Sequence, residues 1–299
     1  MRKFLFLVVA PLLAAMAITS CGQTEAVAEN DSLSLKLGVL PTMECLPFYY
    51  ADSLGLFDSL GVDIKLVTFD AAMDADTAFQ RGHIDGIVSD LVKDCIWKGN
   101  GDSLTIVMGA DLNLWLITSR TARLVKAESL KDKIIGITRH SSVDFFADKI
   151  LESVKIESID LNKPQINKFT LRTLMVDQNQ YDGAILPEPF ASEAVARGAK
   201  RLNGTSEMKI ADMMCVLFPD SLIKTRKDEI ESIAKVYDLA IEKLNSDTVS
   251  NVLEFFPKNN TLFLPDTLFT YIPLKPSHMP SDSTRLMVEK WAKGRGLIK

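Results

Sequence analysis

A repeated spacing constrains this chain more than any single motif does. Gly38 and Gly86 stand 86 − 38 = 48 residues apart, and Gly136 and Gly183 stand 183 − 136 = 47 apart. The local strings agree as well: His83-Ile84-Asp85-Gly86-Ile87-Val88 parallels Gln180-Tyr181-Asp182-Gly183-Ala184-Ile185. In both, an Asp-Gly pair leads into a short apolar strand. Each strand then ends in a loop with a carboxylate, Ser89-Asp90 in the first and Pro187-Glu188-Pro189 in the second. Recurrence at this interval marks one supersecondary plan used twice.

Hydrophobic periodicity fills in that plan. Residues 35–40, 62–69, 84–88 and 104–110 read as strands, and 46–54, 73–81 and 91–98 as helices between them. The plan restarts with a strand at 133–138 and a helix in which Val143, Phe146, Ala147, Ile150, Leu151 and Val154 share one face. A helix at 169–177, a strand at 183–186 and a helix at 188–198 follow. Strands alternating with helices of this length predict right-handed crossovers and a mostly parallel sheet. Residues 213–218 read as a returning strand. A long amphipathic helix then carries Ile230, Ile233, Ala234, Tyr237, Ala240, Ile241 and Leu244 on one face. The tail from Ser250 reads as short helical and extended pieces with many prolines.

The predicted fold class is α/β, with two doubly wound lobes joined by two crossover segments. Lobe 1 is 34–112 plus 217–299 and lobe 2 is 113–216, with crossings near 112–116 and 212–217. In open parallel sheets ligands bind beyond the C-terminal strand ends, which here face each other across a cleft. Closure about a hinge is the expected motion.

The N-terminus is of another kind. Arg2 and Lys3 precede a nearly unbroken apolar run over 4–18, too short to span a bilayer comfortably and matched to the h-region of a signal peptide. Ile18-Thr19-Ser20-Cys21 resembles a bacterial lipobox, which implies cleavage after residue 20 and acylation of the Cys21 thiol. The alternative is an ordinary secretory signal with a chance cysteine. Residues 21–33 read as a polar tether, and more than one acyl chain gives stable anchoring. The chain is therefore expected to be exported and membrane-anchored.

Removing residues 1–20 takes away two positive charges and no negative ones, so the formal charge moves from −5 to −5 − 2 = −7. An acidic chain argues against nucleic acid as a partner. About 270 residues remain beyond the tether, enough for two cored lobes. Cys45, Cys95 and Cys215 are an odd set and cannot all pair; the plain reading is small buried apolar residues, with a Cys45–Cys95 disulfide left open.

Residues 35–245 resemble the nitrate, sulfonate and thiamine-pyrimidine-precursor solute-binding proteins. The resemblance lies in Gly38-Val39-Leu40-Pro41, Pro47-Phe48-Tyr49-Tyr50-Ala51, Gly55-Leu56-Phe57, Gly61-Val62-Asp63-Ile64 and Ala78-Phe79-Gln80-Arg81-Gly82. It continues in Leu130-Lys131-Asp132-Lys133-Ile134-Ile135-Gly136-Ile137 and Asp182-Gly183-Ala184-Ile185-Leu186-Pro187-Glu188-Pro189-Phe190. It implies a type II periplasmic-binding-protein clamshell that works as a monomer and delivers a small solute to an ABC permease and its ATPase, with no cofactor and no catalysis.

Candidate ligand contacts sit in the loops after strands: Thr42, Glu44, Ser89, Asp90, Asp111, Arg139, Ser141, Ser142 and Glu188, with Tyr49, Tyr50 and Trp115 able to stack on a flat ligand or to fill core. Each has a bland alternative. Ser141 or Ser142 either caps the helix that begins near Val143 or, with its free N–H groups, binds an oxygen-rich ligand. Arg139 either holds an anion or is a solvated loop residue, and His140 is structural or at the surface. Glu188 either caps its helix or meets ligand. Asp90 and Asp111 either hold the lobes in register or meet ligand. Glu44, Asp90, Asp111 and Glu188 outnumber the one arginine. Desolvating an unpaired carboxylate costs several kcal/mol, so a closed cleft favours an amine-bearing solute over nitrate or a sulfonate. The competing readings are an anion-binding member of the same family, a surface sensor lipoprotein and a same-fold enzyme. No Ser-His-Asp arrangement, zinc-ligand cluster or phosphate-binding glycine loop supports the last.

Overall fold

The structure is a computed structural model that describes residues 34–246, 252–256, 271 and 273–299. The signal peptide over 1–20, Cys21 and the tether lie outside the described residues, as does much of the tail between 247 and 272.

The strands are β1 (Leu35–Val39), β2 (Ile64–Thr68), β3 (Gly86–Asp90), β4 (Leu104–Ala110), β5 (Leu114–Thr118), β6 (Ile135–Gly136), β7 (Gly183–Pro187), β8 (Lys200–Gly204) and β9 (Met214–Pro219). The helices are α1 (Leu46–Ser53), α2 (Leu56–Ser59), α3 (Ala72–Gln80), α4 (Leu91–Gly99), α5 (Ser142–Ser153), α6 (Phe169–Asp177), α7 (Phe190–Ala196), α8 (Asp220–Thr225), α9 (Lys227–Ser246) and α10 (Asp282–Gly294). They form two α/β halves. One sheet has the order β2-β1-β3-β9-β4 and the other β6-β7-β5-β8.

The repeat in the sequence is a repeat in register. Leu37 stands opposite Gly86 where β1 meets β3, and Ile135 stands opposite Gly183 where β6 meets β7. The Asp of each Asp-Gly pair has one job in both halves. The Asp85 carboxylate accepts from the Lys36 amide at 2.8 Å, and the Asp182 carboxylate accepts from the Ile134 amide at 2.9 Å. A side-chain acceptor thus pins the start of each parallel pairing, where a one-residue slip would turn every side chain to the wrong face. The glycines leave room for the next strand over. A Cβ on Gly86 would lie 2.3 Å from the Phe218 ring of β9, and one on Gly183 would lie 2.4 Å from the Ile117 carbonyl of β5.

The expectation of mostly parallel pairing is corrected. Among the described strands three pairings are parallel and four antiparallel. β9 runs antiparallel between β3 and β4, and β5 runs antiparallel between β7 and β8, because each enters its sheet from the other half of the molecule. The boundary expected at 216/217 falls inside β9, so the chain has returned to the first sheet by Met214. The crossing expected near 112–116 leads directly into an inner strand, β5. β8 and α10 went unnoticed: Lys200–Gly204 lacks an alternating apolar face, and α10 buries only Thr284, Val288 and Ala292. The signal for α10 was the Ser281 cap, whose hydroxyl accepts from the Thr284 amide.

The crossing segments run side by side. The Leu112 amide donates to the Ala211 carbonyl at 2.6 Å, and the Thr205 hydroxyl donates to the Leu112 carbonyl and accepts from the Leu114 amide. Cys45, Cys95 and Cys215 are free thiols, so the disulfide left open by the sequence does not form.

Gly183→Ala should destabilise the protein by about 2 kcal/mol or more in urea unfolding, because its new methyl meets backbone that cannot step aside. Gly294→Ala, where nothing lies within 4 Å, should stay within about 0.5 kcal/mol of the parent.

Candidate functional site

The C-terminal ends of the strands in both halves converge on a cavity of about 60 Å³. The first half contributes Leu40, Glu44, Cys45, Ala72, Asp76, Ser89, Asp90 and Lys93, and the second contributes Thr138, Ser141, Val143, Phe169 and Pro187. By the measure in which one water needs about 10–15 Å³, the space holds a few waters or the head group of a small solute. A second cavity of about 480 Å³ lies along the same interface, lined by Met43, Asp111, Asn113, Trp115, Glu188, Arg201, Tyr237 and Lys275 among others. Where the two linings meet, the Met43 amide donates to the Glu188 carbonyl at 3.0 Å.

Asp90 ends β3 and caps α4, its Oδ1 accepting from the Val92 and Lys93 amides at 2.9 and 3.1 Å. The same oxygen accepts from the Ser142 amide and hydroxyl, at 3.1 and 3.0 Å, across the interface at the first turn of α5. Ser141 caps α5 by accepting from the Val143 amide, and its own hydroxyl donates to the Thr138 carbonyl. Thr138, 3% exposed, lines the cavity, and its buried hydroxyl has no partner.

Glu44 is 8% exposed and forms no ion pair among the described residues. Burial pushes its carboxyl up to about 7. Asp76 lies 2.9 Å from the Lys93 ammonium, yet burial outweighs that cation and raises its carboxyl to about 6. Burial likewise raises Asp90 against the opposing pull of Lys93 and the Ser142 donors. The Cys45 thiol, at the cavity wall, is pushed up by burial and by the Glu44 charge, which keeps it protonated and a poor nucleophile.

The structure therefore gathers Glu44, Ser89, Asp90 and Ser141 on one cavity, with Ser142 holding Asp90 from the second half. Thr42 lies just behind, fully buried. Other expected contacts are placed elsewhere. Tyr49 turns into the first core, its hydroxyl 3.3 Å from that of Thr68 and its ring edge-on to Phe256. Tyr50 is buried against Phe255. Arg139 is exposed and donates to the Lys163 carbonyl in an outward groove that also holds His140. Asp111 and Glu188 border the second cavity, but both are occupied. Asp111 meets the Lys275 ammonium at 2.7 Å and the His278 ring at 3.1 Å. Glu188 pairs with Arg201 and accepts from the Ser192 amide, as a helix cap does. Arg201 also covers one face of Trp115 at 4.4 Å. Two of the four acids counted from sequence are thus paired inside the protein. Asp76, Lys93 and Thr138 went unnoticed, the first two because they sit on helices and not in strand-end loops.

No protein-family model matches the chain, and no curated protein does. Solved structures match over most of its length. The alkanesulfonate-binding protein of Xanthomonas axonopodis, bound to MOPS, superimposes with TM-score 0.76 at 15% identity, covering 89% of this chain and 94% of that one. A Candida albicans gene product described as having the generic periplasmic binding protein fold gives 0.65 at 14%, covering 89% and 90%. This chain has the periplasmic-binding-protein fold. The periplasmic nitrate-binding protein of Synechocystis PCC 6803 shares it, with TM-score 0.71 at 12% identity over 89% of this chain and 82% of that one. At these identities the likeness is one of fold, and the solutes belong to those proteins.

Glu44 gives the ligand-free protein a pH signature. An acid whose folded value exceeds its unfolded value holds its proton more tightly when folded. Its contribution to stability is full below about 4.5 and is lost as the pH rises to about 7. That displacement corresponds to about 3 kcal/mol. Glu44→Gln should therefore be more stable than the parent by about 2–3 kcal/mol at pH 8 and by much less at pH 5, read from urea unfolding at both. A difference that does not change with pH would mean that the carboxylate has a cationic partner.

Proposed function

We propose that this chain is the extracytoplasmic solute-binding subunit of an ABC-type importer, lipid-anchored through Cys21, and that it captures a small amine-bearing solute at the interface between its halves. The observation that carries this reading is the cavity at the strand ends, which both halves wall and where Glu44 is buried without a cation. The Asp90 Oδ2 accepts no hydrogen bond from a described residue, so it too is open to a donor on the solute. A protonated amine, such as that of a thiamine pyrimidine precursor, supplies the missing positive charge.

The paired crossing segments, tied through Thr205, form the hinge. Opening parts Asp90 from Ser142 and Met43 from Glu188 and enlarges the cavity to admit a solute, and closing restores these bonds. The relatives in fold lend support, since a Staphylococcus aureus member is described as the ligand-binding component of an ABC-type import system. Export and anchoring rest on the basic start, the apolar run and the Ile18-Thr19-Ser20-Cys21 string. A permease and an ATPase are the implied partners, and the buried Cys45 thiol favours binding over catalysis.

Thermal unfolding against aminopyrimidines, agmatine, putrescine, taurine and nitrate tests the solute class. An amine at 100 times its Kd should stabilise the chain by about 2.7 kcal/mol, and Glu44→Gln should weaken its binding about tenfold or more. A response confined to taurine or nitrate and indifferent to Glu44→Gln would sink the amine reading. In cells fed a clickable palmitate analogue the chain should be labelled and sediment with membranes. Cys21→Ala should abolish both, and continued labelling of that variant would refute the anchor.

A further inference from the structure

We infer that the second cavity is a binding site of its own, for an uncharged, flat molecule that presents carbonyl oxygens or ring nitrogens to Arg201 and Asn113 beside Trp115. The inference goes beyond the proposed function and stands whether or not the inner cavity takes an amine.

The second cavity measures about 480 Å³, within the range of about 300–1,000 Å³ usual for small-molecule sites, whereas the inner one measures about 60 Å³. Neighbouring residues serve different cavities. Asn113 and Trp115 line the second and Leu112 and Leu114 the first, and the same division separates Met43 from Glu44 and Glu188 from Pro187. Both halves wall the second cavity, and its wall suits a flat body. Gly204 stands opposite Trp115 where β5 meets β8, and a Cβ there would lie 2.6 to 3.0 Å from three carbons of the indole. The ring thus lies in space that a side chain at 204 would fill. Arg201 covers the indole at 4.4 Å and is itself fixed by Glu188 and the Ser192 hydroxyl. Tyr237 turns its hydroxyl away to the Glu44 carbonyl, which leaves its ring and Met43 as apolar wall.

The polar groups define the chemistry. Charge in the lining is already matched, Arg201 by Glu188 and Lys275 by Asp111. An added charge of either sign finds no free opposite there, and its desolvation goes uncompensated. Each carboxylate oxygen already accepts a hydrogen bond: those of Glu188 from Arg201 and the Ser192 amide, and those of Asp111 from Lys275 and the His278 ring. What remains is a set of donors. Arg201 donates only through Nη2, so its Nε and Nη1 have no partner among the described residues, and its side chain is 27% exposed, within reach of a ligand. Asn113 spends its side-chain oxygen on the Ser206 hydroxyl and keeps its amide nitrogen. Free donors beside an indole, with no charge left to neutralise, call for acceptors on a flat, uncharged body.

The test is calorimetric titration of three probes that share one flat ring system and differ in charge: quinoline-3-carboxamide, quinoline-3-carboxylate and 3-(aminomethyl)quinoline. The neutral carboxamide should bind the purified protein about tenfold or more tightly than the acid or the amine. Arg201→Lys keeps the charge beside Glu188 but loses the planar fork, and it should weaken the carboxamide about tenfold or more. Should Arg201→Lys fail to give the circular dichroism spectrum of the parent, Asn113→Ala removes one donor, leaves the ion pairs intact and should show a smaller loss. The inference is overturned if none of the three probes binds at about millimolar concentration, if the acid or the amine binds as tightly as the carboxamide, or if the folded variants bind the carboxamide as the parent does.

Discussion

The Asp90 carboxylate accepts four hydrogen bonds at one oxygen, two from the start of α4 and two from Ser142 at the start of α5. Two helix N-termini, each with amides that lack an intrahelical partner, are brought head to head, and a single negative charge between them satisfies part of each. The relative placement of the halves follows from this arrangement. Met43 and Glu188 join backbone to backbone nearby. On the far side of α4 and α5, α10 packs against α4 and sends the Trp291 ring nitrogen to Asp148 of α5 at 2.9 Å, with Arg295 beside it. Burial alone would raise Asp148, but Lys163, Trp291 and Ser158 hold its carboxyl below the ordinary value, so this outer contact stays charged.

The two contacts differ in what they leave exposed to a ligand. Asp148 is surrounded by donors and cations from both halves and has nothing further to offer. Around the inner cavity, Lys93 supplies the one ammonium of the lining, against Asp76 and Asp90, and Glu44 has none. The imbalance is kept inside, where a negative charge is expensive, and all three carboxyls sit above their usual range as a result. A solute of the proposed kind, carrying a positive charge, would relieve this.

Much of this was legible in the sequence because strand-end loops and Asp-Gly pairs obey local rules. The spacing of 48 and 47 residues translated directly into matched register, since Asp85 and Asp182 perform one local task at the same place in each half. Glu44, Ser89, Asp90 and Ser141 were picked out because each follows a strand, and the fold carries strand ends to one place. What failed depended on partners remote in sequence. Nothing near Glu188 announces Arg201, and nothing near Asp111 announces Lys275 and His278, so pairs that neutralise them looked like free acids. Tyr49 stayed open between ligand and core because an aromatic residue early in a helix reads the same whether it faces a cleft or a core. β8 escaped because an edge strand with one apolar side chain has no period to detect.

The exchange of strands between the halves also bears on how the molecule comes into being. β3 and β4 flank a gap that only β9 fills, and β9 begins at Met214, more than a hundred residues after β4 ends. As the chain is made, the first sheet has all but one of its strands early and cannot close. The missing strand follows only after the whole second half has been laid down. Pairings so distant in sequence form late and slowly, because loop closure comes before any contact rewards it. A nascent chain of this design stays open until its second half has been made, the condition in which a polypeptide can still be threaded through a narrow channel.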